Sequence, residues 1–173
     1  MRWFWYFLIY SFFGFLLEVL FARAIRSDKP DRKCFLLLPL CPVYGLGALG
    51  ILAAAALLGR HVLPVALAGA AVATGVEYLM GVFYERGLGV AFWDYSDLPL
   101  NLGGKVCLPF SAAWGVLALV LVYLVHPVVE RLAAAIPGAL VPAAMVVLLA
   151  DALVSAYLLK TTGTTQCLKW YAR

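Results

Sequence analysis

Residues 106–125 read VCLPFSAAWGVLALVLVYLV, twenty positions from Val106 to Val125 without a charged side chain. A helix of that length rises about 30 Å, the thickness of a bilayer's hydrocarbon core. The apolarity is continuous rather than alternating, so the stretch is not a lipid-facing strand of a barrel. Its surroundings are of the same kind: the 173-residue chain is 65% hydrophobic and 13% charged, with a mean hydropathy of +0.98. That composition excludes a soluble globular enzyme and a disordered chain, and the basic residues are not interleaved as nucleic-acid binding requires. An all-α, polytopic membrane protein remains.

Working outward from that run, the same criterion gives spans at about 3–25, 35–59, 62–85, 105–126 and 138–160, each bounded by charge, Pro or Gly. The expected architecture is one transmembrane domain over 1–173, a bundle of five helices with a loop at 86–104. Five spans put the termini on opposite sides. One side collects ten basic residues, Arg23, Arg26, Lys29, Arg32, Lys33, Arg86, Lys105, Lys160, Lys169 and Arg173; the other has Arg2, Arg60 and Arg131. The positive-inside rule then places the N-terminus outside and the C-terminus in the cytoplasm. A signal-peptide reading of the first span, on Ala22-Arg23-Ala24, is the weaker one: the apolar region is too long, contains Glu18 and is followed by positive charge.

In this topology Cys34, Cys41, Cys107 and Cys167 all fall near the cytoplasmic side, where thiols stay reduced, so structural disulfides are not expected. A four-thiolate metal site lacks any Cys-x-x-Cys spacing, and the thiols read better as small buried hydrophobes. No metal, cofactor or catalytic residue is assigned.

Three acids lie within the spans: Glu18, Glu77 and Asp151. Each lies seven to nine residues from the cytoplasmic end of its helix, a common depth of about 10–14 Å. An ionised carboxylate there costs at least about 2.5–3.5 kcal/mol and normally faces the bundle interior. Ser11, Gly14 and Glu18 recur on one helix face, as do Thr74, Glu77, Gly81 and Glu85, and Asp151 with Ser155 repeats the idea. Such small, polar stripes face a neighbouring helix rather than lipid. The two spans that begin inside reach the same depth near Tyr44 and near Trp114, just after Pro39, Pro42 and Pro109, which fits broken helix starts around a cavity open to the cytoplasm. The candidate binding residues are therefore Glu18, Tyr44, Glu77, Glu85, Trp114 and Asp151. The plainer alternative makes the acids protonated staples between helices.

A weak internal repeat aligns Gly14, Glu18, Cys41, Pro42, Tyr44 and Gly45 with Gly75, Glu77, Cys107, Pro109, Trp114 and Gly115. Two tandem hairpins would pair Glu18 with Glu77 across a pseudo-symmetric interface. The loop between the third and fourth spans is too aromatic for a solvated linker. Trp93, Asp94, Tyr95, Ser96 and Asn101 make it a candidate gate over the acids, the alternative being an interfacial anchor with turn chemistry.

Together these residues, from Tyr10-Ser11-Phe12-Phe13-Gly14 and Glu18 through Pro42-Val43-Tyr44-Gly45, Glu77, Glu85, Trp93-Asp94-Tyr95-Ser96, Asn101, Gly104, Cys107 and Trp114-Gly115 to His126-Pro127 and Asp151, resemble the Putative ABC-transporter type IV family. The Trp-Asp-Tyr-Ser loop is the most specific part. The resemblance implies a small permease-like protein of the bacterial cytoplasmic membrane. The chain departs from the pattern at Asp31-Arg32-Lys33-Cys34-Phe35-Leu36, where the family tends to have Asn-Arg-Gly-Phe-Leu, and after Lys160.

The reading that absorbs most features is a multi-pass transport component whose acids bind a cation, a proton or a cationic solute, with Tyr44 and Trp114 offering π faces. Its expected partners are the lipid bilayer, a separate ATPase subunit and a second copy of the chain, with no nucleic acid. Two alternatives stand beside it. One is a membrane enzyme in which paired carboxylates act on a lipid or peptide, weakened because His61 and His126 sit at the outer edge, His126-Pro127 reading as a helix end. The other is a scaffold that transports nothing.

Overall fold

A computed structural model describes residues 1–24, 34–59 and 61–168. Arg26, Lys29, Asp31, Arg32, Lys33, Arg60, Lys169 and Arg173, on which much of the orientation and the first-loop departure rest, lie outside them. The described elements are all helical, apart from one isolated bridge between Leu102 and Val106. They are α1 (Arg2–Ala24), α2 (Pro42–Leu58), α3 (Val62–Val82) continued by a wide π turn (Phe83–Leu88), α4 (Leu108–Val120) with a π turn (Leu121–Val125) leading into α5 (His126–Ala135), and α6 (Val141–Thr162). Short 3-10 turns at Gly138–Leu140 and Thr165–Leu168 flank α6.

Among the described residues, four helical stretches are long and apolar enough to cross a membrane: Arg2–Ala24, Val62–Leu88, Leu108–Ala135 and Gly138–Thr162. Leu67, Leu79, Leu124, Val146 and Leu153 stand on the outside, where an acyl-chain solvent favours them.

The expected second span is corrected at its start. Its helix begins at Pro42, not at residue 35, and has 17 residues, about 25 Å of rise. Residues 35–40 form a bent, non-helical strap instead. Pro39 and Pro42 disfavour helix in the residues before them, and the strap's backbone groups find other partners. The N–H groups of Leu37 and Leu38 donate to the Asp151 carboxylate of α6, each at 3.0 Å, and the N–H of Cys41 donates to the carbonyl of Ser11 on α1 at 2.8 Å. Apolar strap residues Phe35 and Leu36 are buried with Tyr84, Leu88, Phe92 and Leu159, which ties α6 to the π turn of α3.

The expectation of no structural disulfide is also corrected. Cys34 and Cys41, at the two ends of the strap, are joined, because the strap doubles back and brings their Cα atoms within 4.8 Å. Cys107 is free and buried, and Cys167 is free.

The third departure is at His126. The helix does not end there but runs through Pro127 to Ala135. Pro127 occupies the first turn of α5, where a missing N–H is tolerated, and the π turn before it absorbs the change in hydrogen-bond register. α5 then packs Val129 and Ala133, one turn apart, against Tyr6 and Tyr10 of α1 and Ala48 and Leu52 of α2. The Tyr10 hydroxyl lies 3.0 Å from His126 Nδ1.

Candidate functional site

The small stripe of α1 faces α2. A Cβ on Gly14 would overlap the Cβ and ring of Tyr44, and one on Gly45 would overlap the hydroxyl of Ser11, so each helix carries a glycine where the other presses in. That close approach delivers the Tyr44 hydroxyl to Glu18 Oε1, to which it donates at 2.7 Å.

The stripe of α3 faces α4 and the loop. Thr74 Oγ1 donates to Ser111 Oγ at 2.9 Å. One turn on, Glu77, 5% exposed, has an acceptor role at each oxygen: Tyr95 donates to Oε1 at 3.0 Å and Trp114 Nε1 to Oε2 at 2.9 Å. Two turns further, Glu85 pairs with Lys105 at 2.5 Å. The rings of Tyr44 and Trp114 meet edge to face, centroids 5.5 Å apart. A chain of contacts therefore runs Glu18–Tyr44–Trp114–Glu77. The repeat alignment coincides with it at the acid and aromatic positions of both hairpins. It does not at Gly75, where a Cβ would meet open space instead of a neighbouring helix.

The loop is internally braced. Asp94 Oδ1 accepts from the backbone N–H and the hydroxyl of Ser96, at 2.9 and 2.5 Å. Those two bonds, aided by the Lys105 charge, hold the exposed Asp94 carboxyl below its ordinary range. Asn101 donates to the carbonyls of Ser96 and Leu98 and accepts from the N–H of Gly104. Trp93 Nε1 donates to the carbonyl of Lys105 at 2.8 Å. This bracing aims Tyr95 inward, where it stacks on Phe110 at 4.8 Å while bonding Glu77. Burial first, then the Glu77 charge, push the Tyr95 phenol well above its usual range, so it stays a donor.

Glu18, Tyr44, Glu77, Trp93, Tyr95 and Trp114 all line one cavity of about 540 Å³. α1 and α4 form its walls, and Gly47 and Ile51 of α2 with Ala73 of α3 also border it. The acids occupy one end, and the rest is apolar, running past Phe13, Leu17 and Leu117 to Leu121 and Tyr10. The other candidates lie elsewhere. Asp151 binds the strap and the Ser155 hydroxyl, Glu85 stands with Lys105 at a smaller polar hollow, and Asp94, Ser96 and Asn101 brace the loop. Phe110 and the apolar lining were not singled out from sequence. The available signal was spacing, since Phe110 precedes Trp114 by one turn and Gly47 follows Tyr44 by one.

Among the described residues no group of three or more His, Cys, Asp or Glu side chains is placed to hold a metal ion. No curated protein and no solved structure matches the chain. A family match does exist and covers residues 5–158, from the aromatic start of α1 to the last turns of α6, including each residue of the acidic cavity. The chain therefore belongs to the Putative ABC-transporter type IV family.

Proposed function

We propose that this membrane transport component uses Glu18 and Glu77 as an intramembrane binding site for a cation, a proton or a cationic solute. The observation that carries the reading is their meeting: carboxylates from two different helices reach one 540 Å³ cavity beside the faces of Tyr44, Trp114 and Tyr95. Carboxylates placed in a bilayer at this cost are retained where they bind or relay charge. The braced loop, entering the cavity through Tyr95, acts as its gate. The positive-inside count supports placing that end at the cytoplasm of a bacterial inner membrane, while the Cys34–Cys41 disulfide at the same end weighs against a reducing compartment; a separate ATPase subunit would dock at the cytoplasmic face and a second copy would complete the assembly.

A second reading has its own observation. Both oxygens of Glu77 already accept hydrogen bonds, as a helix staple's would, which favours a scaffold without transport. Native mass measurement of the gently extracted protein separates the two. The transport reading expects a bound cationic species in the wild type that Glu77→Gln loses, with folding and subunit partners unchanged. Identical bound species in both proteins, or none in either, refutes a bound cation or cationic solute; a proton is tested by flux in liposomes, where proton uptake equal in wild type and Glu77→Gln refutes it. A co-purifying ATPase identifies the partner.

A further inference from the structure

The cavity is poorly built for an inorganic cation. A hard dication wants six or more oxygen ligands, yet the oxygens of Glu77 are engaged by an indole and a phenol, and most of the remaining wall is carbon. Among the described residues lining the cavity there are two acids and no Lys or Arg. The acidic end offers the faces of Tyr44, Trp114 and Tyr95, a lining that attracts substituted ammonium groups. The far end offers an apolar channel. From Phe21 beside the acids to Tyr10 at the opposite end α1 advances eleven residues, about 16 Å. The volume is that of a small-molecule site.

We propose that the occupant is an amphiphilic monocation, an ammonium carried on a single apolar chain. The ammonium sits at the end bordered by Glu18, Glu77, Tyr44 and Trp114, and the chain lies along Gly47, Ile51 and Leu117. This deepens the transport reading and rests on it, by naming the class of solute. Gly47 marks the chain's path. A Cβ built there meets no atom within 4 Å although the residue is buried in the bundle and borders the cavity. A larger side chain at that position enters the channel one helical turn beyond Tyr44.

The test uses the full chain in nanodiscs of zwitterionic lipid, with binding of radiolabelled probes corrected for partitioning into empty discs. The probes are tetramethylammonium, dodecyltrimethylammonium and uncharged dodecanol. Wild type binds dodecyltrimethylammonium saturably and at least tenfold more tightly than tetramethylammonium, and does not bind dodecanol saturably. Gly47→Leu weakens the long-chain cation at least tenfold and leaves tetramethylammonium unchanged. Leu117→Trp, which narrows the channel from α4, does the same and serves where Gly47→Leu does not fold. Glu77→Gln weakens both cations. Equal affinity for the two cations, or a long-chain affinity indifferent to both channel variants, overturns the amphiphile while leaving the acidic site intact. Saturable dodecanol binding equal to that of the cation overturns the need for charge. Absence of saturable binding by any probe also overturns the proposal, whereas the acidic-site reading itself is decided by the native-mass comparison of wild type with Glu77→Gln.

Discussion

Replacing Asp151 by Ala should damage the fold while sparing the cavity. The carboxylate accepts the backbone N–H groups of Leu37 and Leu38 at 3.0 Å each and the Ser155 hydroxyl at 3.2 Å. Leaving a buried backbone donor without its acceptor costs about 1–3 kcal/mol, so removing the two backbone bonds costs about 2–6 kcal/mol. Ser155 Oγ also lies 3.2 Å from the Leu37 N–H and keeps it partly satisfied, which lowers the upper end of the expectation to about 5 kcal/mol. Asp151→Asn should cost about half as much, because the amide keeps one acceptor oxygen but turns an N–H group towards the other donor. The assay is reversible unfolding in mixed micelles, followed by circular dichroism, with ligand binding measured on the folded fraction. A loss below about 0.5 kcal/mol for Asp151→Ala, the size of an ordinary surface change, would refute the strap–α6 clamp. So would a selective loss of cation binding with stability unchanged, since Asp151 does not line the cavity.

Three further outcomes are expected. Gly14→Ala drives a Cβ into Tyr44 and should cost about 1–3 kcal/mol of unfolding free energy in the same assay, as overpacking does, together with weaker cation binding through displacement of the Tyr44–Glu18 bond. Reducing Cys34–Cys41 reopens a short loop, seven residues in sequence separation. On the chain-entropy account this lowers stability by about 2–3 kcal/mol, read by comparing unfolding with and without reductant. Asp94, whose carboxyl is held below the ordinary carboxylate range, contributes to loop order above its unfolded pKa, and that contribution disappears as pH falls through the depressed folded value. Acid-induced protease sensitivity of the loop should therefore begin at a higher pH in Ser96→Ala than in the wild type.

Much of this fold follows from periodicity. The stripes Ser11–Gly14–Glu18 and Thr74–Glu77 point at neighbouring helices because small and polar groups gain by leaving lipid, a property each helix carries in its own sequence, whereas Glu85, further down the second stripe, is exposed and pairs with Lys105. Depth alone, however, does not set azimuth or partner. Asp151 shares its depth with Glu18 and Glu77 but faces the strap, whose existence is invisible to hydropathy because Phe35, Leu36 and Leu37 are as apolar as any span. Pro127 misleads in the opposite direction: the local rule ends a helix there, and a π turn one step earlier lets it continue. The Cys34–Cys41 pairing is a matter of where the strap's ends meet in space, which spacing along the chain does not disclose.

The strap also sets an order for biosynthesis. Its Leu37 and Leu38 amides leave the ribosome more than a hundred residues before Asp151, the acceptor that receives them. Losing a buried acceptor costs a backbone donor about 1–3 kcal/mol. A nascent chain comprising α1 to α5 therefore holds a destabilised half-crossing until α6 inserts, and membrane proteases that sample incomplete bundles would meet it in that state. Truncation before residue 151 should yield a short-lived protein even though the cavity's own residues have all been made.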